Sequence, residues 1–346
     1  MEQADGVSAP PAAIPSAPRG RGRGVWAEAL RWLAGDISSI ASALVLVLVL
    51  LSALLAPLYA GRVAQSDPFR SQLDAIVTID GEPVDVLQPS TEGLGLGVTP
   101  IGPTWRIGPY VLGADAQGRD LMSRVLYGGR STLLIAGLAT VITLVLAAII
   151  GVTAGFFGGW VDWVLSHLLD VLWAFPIYLF AISLAIVLLT AHIEIGPFVI
   201  ESGSLALPIL IVGIVYVPYV ARPIRGQVLA LRKVEFVTAA VGLGIPAHRI
   251  LIADILPNVA TTLIVFAPLM MALNIGTESA LSFLSLGVQP PSASWGTIMR
   301  DGQNLIYTRP WVSIAPGIAV IATIAALNIL GDGVRRALDP RAKLRG

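Results

Sequence analysis

The chain contains no cysteine. Disulfides, thiol nucleophiles and thiolate metal sites are therefore excluded. Lysine is nearly absent too, occurring only at Lys233 and Lys343. A phosphate-binding loop needs G-x-x-x-x-G-K-[ST], with the lysine on the phosphates and a hydroxyl on magnesium. The one stretch that approaches it, "GADAQGRD" (113–120), has Arg119 and Asp120 in the last two positions. "GLGLG" (93–97) has no strand–helix context. Any ATP that drives this chain must be bound by another polypeptide. Histidine occurs three times, at His167, His192 and His248, with no H-E-x-x-H pattern, so a metal site built from this chain is not expected. Ser131 and Ser282 lie outside any G-x-S-x-G context, and no nucleophile–base set stands out. Charged residues make up only 13%, and the net charge is zero, which argues against nucleic acid as a ligand.

Apolar side chains are abundant, at 55% of 346 residues, with a mean hydropathy of +0.79. That balance describes an integral membrane protein. A helical span needs about 20 apolar residues, and six stretches qualify: 37–58, 131–155, 168–191, 205–221, 257–284 and 311–331. Lipid cannot satisfy free backbone groups, so the spans are helices and the fold class is an all-α polytopic bundle. Pro176, Pro208, Pro218, Pro268 and Pro316 fall within the spans, where neighbouring helices can re-satisfy the freed carbonyls.

The first 24 residues are rich in Ala, Pro and Gly and end in "RGRGRG". They cannot bury enough apolar surface to offset their ordering entropy. They extend a disordered cytoplasmic tail over 1–36, and the apolar run that follows is too long for a cleavable signal peptide. Placing the N-terminus in the cytoplasm leaves fourteen of the 22 Lys and Arg on that side. Most of the rest lie in the long outer segment, a weak voter in the positive-inside rule. The expected organisation is then a tail (1–36), a first span (37–58), an extracytoplasmic loop (59–130), a core (131–334) with a cytoplasmic loop at 222–256, and a cytoplasmic tail (335–346). Within the outer loop, "AIVTIDGEPVDV" (75–86) alternates about an Asp-Gly turn and predicts a hairpin. The segment 115–130 predicts an amphipathic helix, with Asp115 as its N-cap and an Asp120–Arg124 pair. It reads either as a solvated interfacial helix or as a brace at the outer mouth.

The loop between the fourth and fifth spans carries "EFVTAAVGLGIPAHRILIADILPN" (235–258). Val234, Val237 and Val241 recur at helical spacing on one face. Ala239 and Ala240 are small enough for a close partner surface. Gly244 suits a left-handed helix end, and Pro246 suits the first turn of a second short helix. Two readings stand at this point: a plain connector, or a coupling helix gripped by a soluble motor. Buried polar groups pose a similar choice. Asp170, Asn274, Glu278 and Asn328 lie at membrane depth, where such groups either bond helices together or line a water-filled path.

"TAAVGLG", followed ten residues later by "ILPN", resembles the EAA loop of permease subunits in bacterial ABC importers. Thr238 stands where that motif usually has Glu, and Glu235 is one turn earlier. Four further stretches resemble the dipeptide/oligopeptide/nickel permeases of the second, C-type subunit. They are "LGADAQGRDLMSRVLYGGRSTL" (112–133), "GFFGGWVDWVLSHLLDVLWAFP" (155–176), "ESALSFLSLGVQPPSASWGTIM" (278–299) and "LNILGDGVRRALDPR" (327–341). The resemblance implies a six-helix type I importer permease fold in the bacterial inner membrane, with both termini cytoplasmic. It implies no cofactor in this chain and no enzymatic activity of its own, with ATP and Mg²⁺ bound by partner ATPase subunits. A second, related permease subunit and an extracytoplasmic solute-binding protein complete the implied assembly. Peptides are the implied solute. Nickel chelates, glutathione or oligosaccharides are alternatives, and an ion-coupled secondary transporter is a rival class. Val234, Glu235, Val237, Thr238, Ala239, Ala240, Gly244 and His248 are the implied ATPase-coupling residues. Asn274, Glu278 and Asn328 are the pathway or gating candidates, with Glu278 foremost.

Overall fold

The computed structural model describes residues 23–79, 81–90, 97–190, 193–195, 198–200 and 203–338. The start of the expected N-terminal tail, the first four residues of "GLGLG", His192 and most of the C-terminal tail lie outside them.

The chain opens with α1 (Arg23–Leu33) and α2 (Ile37–Leu54). The expected disorder of 1–36 therefore fails over its last third. Burial of Ala29 and a cation–π contact of Arg336 over Trp32 give α1 a partner surface that composition does not reveal. Asp36 caps α2 through the backbone N–H of Ser39 at 3.0 Å, and the Ser39 hydroxyl lies 2.6 Å from the same carboxyl. Those bonds hold the Asp36 carboxyl below the usual carboxylate range. The first span is shorter than 37–58. After α2 come one short turn, α3 (Ala56–Leu58), and a π-helical turn over Tyr59–Ala64.

The outer segment holds two antiparallel pairs, β1 (Ile76–Ile79) with β2 (Glu82–Asp85), and β3 (Leu87–Pro89) with β4 (Val98–Pro100). The alternation over 75–86 corresponds to the first pair, with Gly81 at φ +85° in the link. Val86, Ile101, Tyr110 and Ala114 form a small core beneath.

α4 (Leu121–Phe157) then runs unbroken for 37 residues. At 1.5 Å per residue that is about 55 Å, well beyond a hydrocarbon core of about 30 Å. The expected amphipathic helix at 115–130 is thus no separate element: most of it is the outer end of α4. The N-cap is Asp120, which accepts from Ser123 N–H at 2.7 Å, and not Asp115.

The third span is broken. α5 (Gly159–Ala174) and α6 (Ile177–Thr190) meet at a 94° bend, where Phe175 is extended before Pro176. A further pair, β5 (Ile193–Ile195) with β6 (Phe198–Ile200), follows. α7 (Ala206–Val215) and α8 (Val217–Leu231) bend by 43° at Tyr216, next to Pro218, so the fourth apolar stretch is also two helices. After α9 (Glu235–Gly242) and α10 (Ala247–Ile250), a π-helical turn leads without interruption into α11 (Leu256–Phe283). Then come α12 (Trp295–Asp301) and α13 (Trp311–Leu338), which carries its helix into the expected C-terminal tail. Among the described residues, four helical runs are long and apolar enough to cross a membrane, and six spans result if each bent pair counts as one.

Without a hydrophobic drive between helices in lipid, close packing relies on small residues. α4 lays Gly151 and Gly155 directly on α8. A Cβ on Gly151 would stand 2.7 Å from the Ala221 carbonyl, and one on Gly155 would stand 2.7 Å from Val228. On the other side of α4, the Thr143 hydroxyl lies 2.7 Å from the Gly213 carbonyl of α7. One core cluster joins α4, α8, α9 and α11. A second joins α4, α6, α7 and α11, and a third joins α4, α11 and α13.

Candidate functional site

α9 stands at the end of α8, joined to it through Arg232–Val234. Val234 is its N-cap, without a side-chain cap bond. The helix is fixed on one side only. Val237 is fully buried and Ala240 nearly so, packed in the cluster that holds Val228, Ile250 and Ile255. Val234 and Val241 are exposed, so the expected apolar face of Val234, Val237 and Val241 is not the buried one. Positions 237 and 240 are what turn inward, because Ala240 is the small residue that lets α9 sit against its neighbours. Glu235, Phe236, Thr238, Ala239, Val241 and Leu243 face outward, and Leu243 is 80% exposed. The Thr238 hydroxyl back-bonds to the Glu235 carbonyl at 3.0 Å, leaving the outer surface of α9 mostly apolar. Gly244 has φ +72° and turns the chain. Its successor Ile245 donates to the Ala240 carbonyl at 3.1 Å, which satisfies the helix end. Pro246 is the N-cap of α10 and not in its first turn. His248 is exposed on α10.

Two features missed by sequence reasoning brace this knob. Arg232 donates to the Phe156 carbonyl at 3.0 Å, closing the C-terminus of α4 where Gly158 turns with φ +67°. Arg225 on α8 binds Asp162 on α5 in a bidentate pair at 2.5 and 2.6 Å, and Arg222 reaches Asp170 at 2.8 Å. The signal was present: carboxylates eight apart on α5 and arginines three apart on α8 each share a helix face. Asp170, expected at membrane depth, is thus an exposed ion-pair partner.

The remaining polar candidates do not converge. Asn274 is fully buried and donates to Thr140 Oγ1 at 2.9 Å, while its own Oδ1 has no partner among the described residues. Glu278 is also fully buried. Ser282 donates to its Oε1 at 2.7 Å, and the hydroxyls of Thr132 and Ser294 also bond to it. That carboxyl joins α11 to α4 and to the N-cap of α12. Asn328 is exposed, on a groove of about 610 Å³ lined by Tyr219, Phe266, Asp332 and Arg335.

At the opposite end of the bundle from α9, charge is concentrated under the small outer core. Asp115 is fully buried. It pairs with Arg119 at 2.7 Å and with Arg124 at 3.2 Å, and both arginines reach Asp301 of α12, at 3.1 and 2.9 Å. The expected Asp120–Arg124 pair is therefore replaced, because Asp120 is taken by the helix cap and by Tyr110 N–H at 2.7 Å. Burial holds the Asp120 carboxyl above its ordinary range. Burial next to that carboxylate also pushes the Tyr110 phenol up to about 12.

A bundle of broken and unbroken apolar helices, with an outward-facing short helix at one end and a pinned module at the other, defines a multi-pass membrane protein. Residues 145–344 match the family model described as binding-protein-dependent transport system inner membrane component. The chain belongs to that family. It is similar to the dipeptide transport system permease protein DppC of Alkalihalophilus pseudofirmus, with 36% identity over 67% of this chain and 72% of that one. The oligopeptide transport system permease protein OppC of Escherichia coli K12 is 32% identical over 92% of both chains. The glutathione transport system permease protein GsiD of Pectobacterium atrosepticum is 33% identical over 67% and 73%. Among solved structures, an inward-facing MetNI methionine ABC transporter shares the fold. Its TM-score is 0.50 at 15% identity, covering 63% of this chain and 98% of that one.

Proposed function

We propose that this chain is one permease half of an ATP-driven importer for short peptides. It lies in the bacterial inner membrane with both termini cytoplasmic, and works by alternating access with a second, related permease subunit. The observation that carries the reading is α9. It is a short helix held from one side by Val237 and Ala240, with an outer surface of Phe236, Ala239, Val241 and Leu243 that the described residues leave exposed. An ATPase subunit grips that surface. Displacement passes through the buried contacts of α9 to α8, and through the Asp162–Arg225 pair to α5. The motor must hold the knob in both states but at different positions, since a ligand shifts an equilibrium only by its differential affinity. ATP and Mg²⁺ belong to the ATPase, and a solute-binding protein delivers peptide from outside. The relatives' names support the substrate class, since dipeptides, oligopeptides and glutathione share peptide linkages. Asn274 is fully buried with an unpartnered Oδ1, so a passing amide can use it only in a state that parts α11 from α4. Glu278 serves as a gate joint between α11 and α12.

The test is the reconstituted complex, with ATP hydrolysis measured as its binding protein is loaded from a peptide panel. Stimulation by peptide-loaded binding protein, lost on Ala239→Asp, supports the reading. Equal hydrolysis with and without peptide, or normal uptake by Ala239→Asp, contradicts it.

A further inference from the structure

An apolar groove of about 760 Å³ lies on the outer side of the bundle, where α2, α4, α11 and α13 meet. Leu46, Leu50, Leu134, Val141, Met271 and Leu327 line it. Thr323 is the one polar lining residue besides Arg130, and its hydroxyl is already spent on the Ala319 carbonyl. At one end stands Arg130. Its guanidinium lies over the Tyr127 ring at 5.5 Å and meets no carboxylate among the described residues. From Arg130 to Val141 the groove follows α4 for about 16 Å at the helical rise, close to half of a hydrocarbon core of about 30 Å. Tyr127 lies under Arg130, and Trp105 meets Trp311 nearer the outer end of α4, aromatic side chains of the kind that favour a membrane–water interface. Gly137 opens into the middle of the groove, and a Cβ there would meet nothing within 4 Å.

We propose that this groove is a phospholipid site, with one acyl chain along α4 and the phosphate on Arg130. A cation at headgroup level above an apolar slot one leaflet deep matches a phospholipid in both charge and length. A helix from another chain would fill the slot but leave the guanidinium without an anion. The groove and its cation stand apart from the transport reading, and only the choice of the outer leaflet follows from the proposed orientation.

The experiment uses the detergent-purified transporter containing this chain, titrated with phosphatidylglycerol and read by native mass spectrometry. One tightly retained lipid per copy of this chain is expected. Arg130→Ala weakens its retention about fivefold, the share of one basic residue at an anionic headgroup, and Arg130→Lys largely keeps it. Gly137→Leu fills the slot and removes the retained lipid while the subunits stay assembled. Unchanged retention in either Arg130→Ala or Gly137→Leu overturns the proposal. Loss of a partner subunit from Gly137→Leu overturns it too, because the slot then belongs to a protein helix.

Discussion

Arg225 grips Asp162 with two nitrogens, Nε at 2.5 Å and Nη2 at 2.6 Å, and so ties α8 to α5 across 63 positions of sequence. The Asp162 carboxylate also takes the Ser166 hydroxyl at 3.0 Å. A bidentate guanidinium–carboxylate pair fixes direction as well as distance. In the proposed mechanism it is the link through which α5 follows α8, the helix that leads into α9.

Asp162→Asn keeps the shape and removes the charge. Loss of about 1.5–3 kcal/mol is expected, the range for hydrogen bonds to charged groups. Thermal unfolding of the purified protein reads the loss. A charge exchange, Asp162→Arg with Arg225→Asp, should recover part of it, and no recovery would show that the pair is incidental.

Gly155→Val tests the contact between α4 and α8. A side chain there meets Val228 and the Arg225 carbonyl closer than 3 Å. Overpacking of this kind costs about 1–3 kcal/mol. The variant should unfold at lower temperature and lose coupled transport, while the exposed Gly242→Ala leaves the melting temperature within error.

Alkaline pH should loosen the outer module. Tyr110 is neutral in both states below pH 10, and its folded-state value is about 12. Between those values the unfolded chain releases the proton and the folded chain keeps it. Stability is therefore fully present below pH 10 and falls as pH rises towards 12. Tyr59, also held up to about 12 by burial, acts in the same window. Protease cleavage within 97–120 should rise steeply there. Joint Tyr59→Phe and Tyr110→Phe should flatten the rise, and an unchanged profile would exclude these phenols as its source.

Ile107 is 97% exposed and Tyr307 is 96% exposed, both at the proposed outer mouth. As a docking surface for the binding protein they should not tolerate charge. Ile107→Glu with Tyr307→Glu is expected to weaken stimulation of ATP hydrolysis by the binding protein about tenfold, as loss of a modest apolar contact pair does. Basal hydrolysis should not change. Full stimulation would discard the docking role.

The number and order of apolar segments, the hairpin at 76–85 and the short helix after Val234 were legible in the sequence, because each rests on local periodicity. What periodicity cannot show is where an apolar run bends. Pro176 and Pro218 break two spans, whereas Pro268 and Pro316 sit within unbroken helices. Asp115 looked like a helix cap and became the buried centre of an ion cluster, since Asp301, which shares its two arginines, lies far along the chain. α9 was legible as a helix but not in its rotation. Burial of Val237 with Ala240 depends on the surface of α4 and α11, which no single segment encodes.

In the proposed assembly α9 is the cytoplasmic handle of the transporter. The chain has no cysteine, so Leu243→Cys places a single thiol on the exposed end of the knob. Its labelling by a membrane-impermeant maleimide should be compared in intact cells, in inverted vesicles, and in inverted vesicles bearing the ATPase. No labelling from outside, rapid labelling from inside, and strong protection by the ATPase are expected. Labelling of intact cells, or equal labelling with and without the ATPase, would contradict that role.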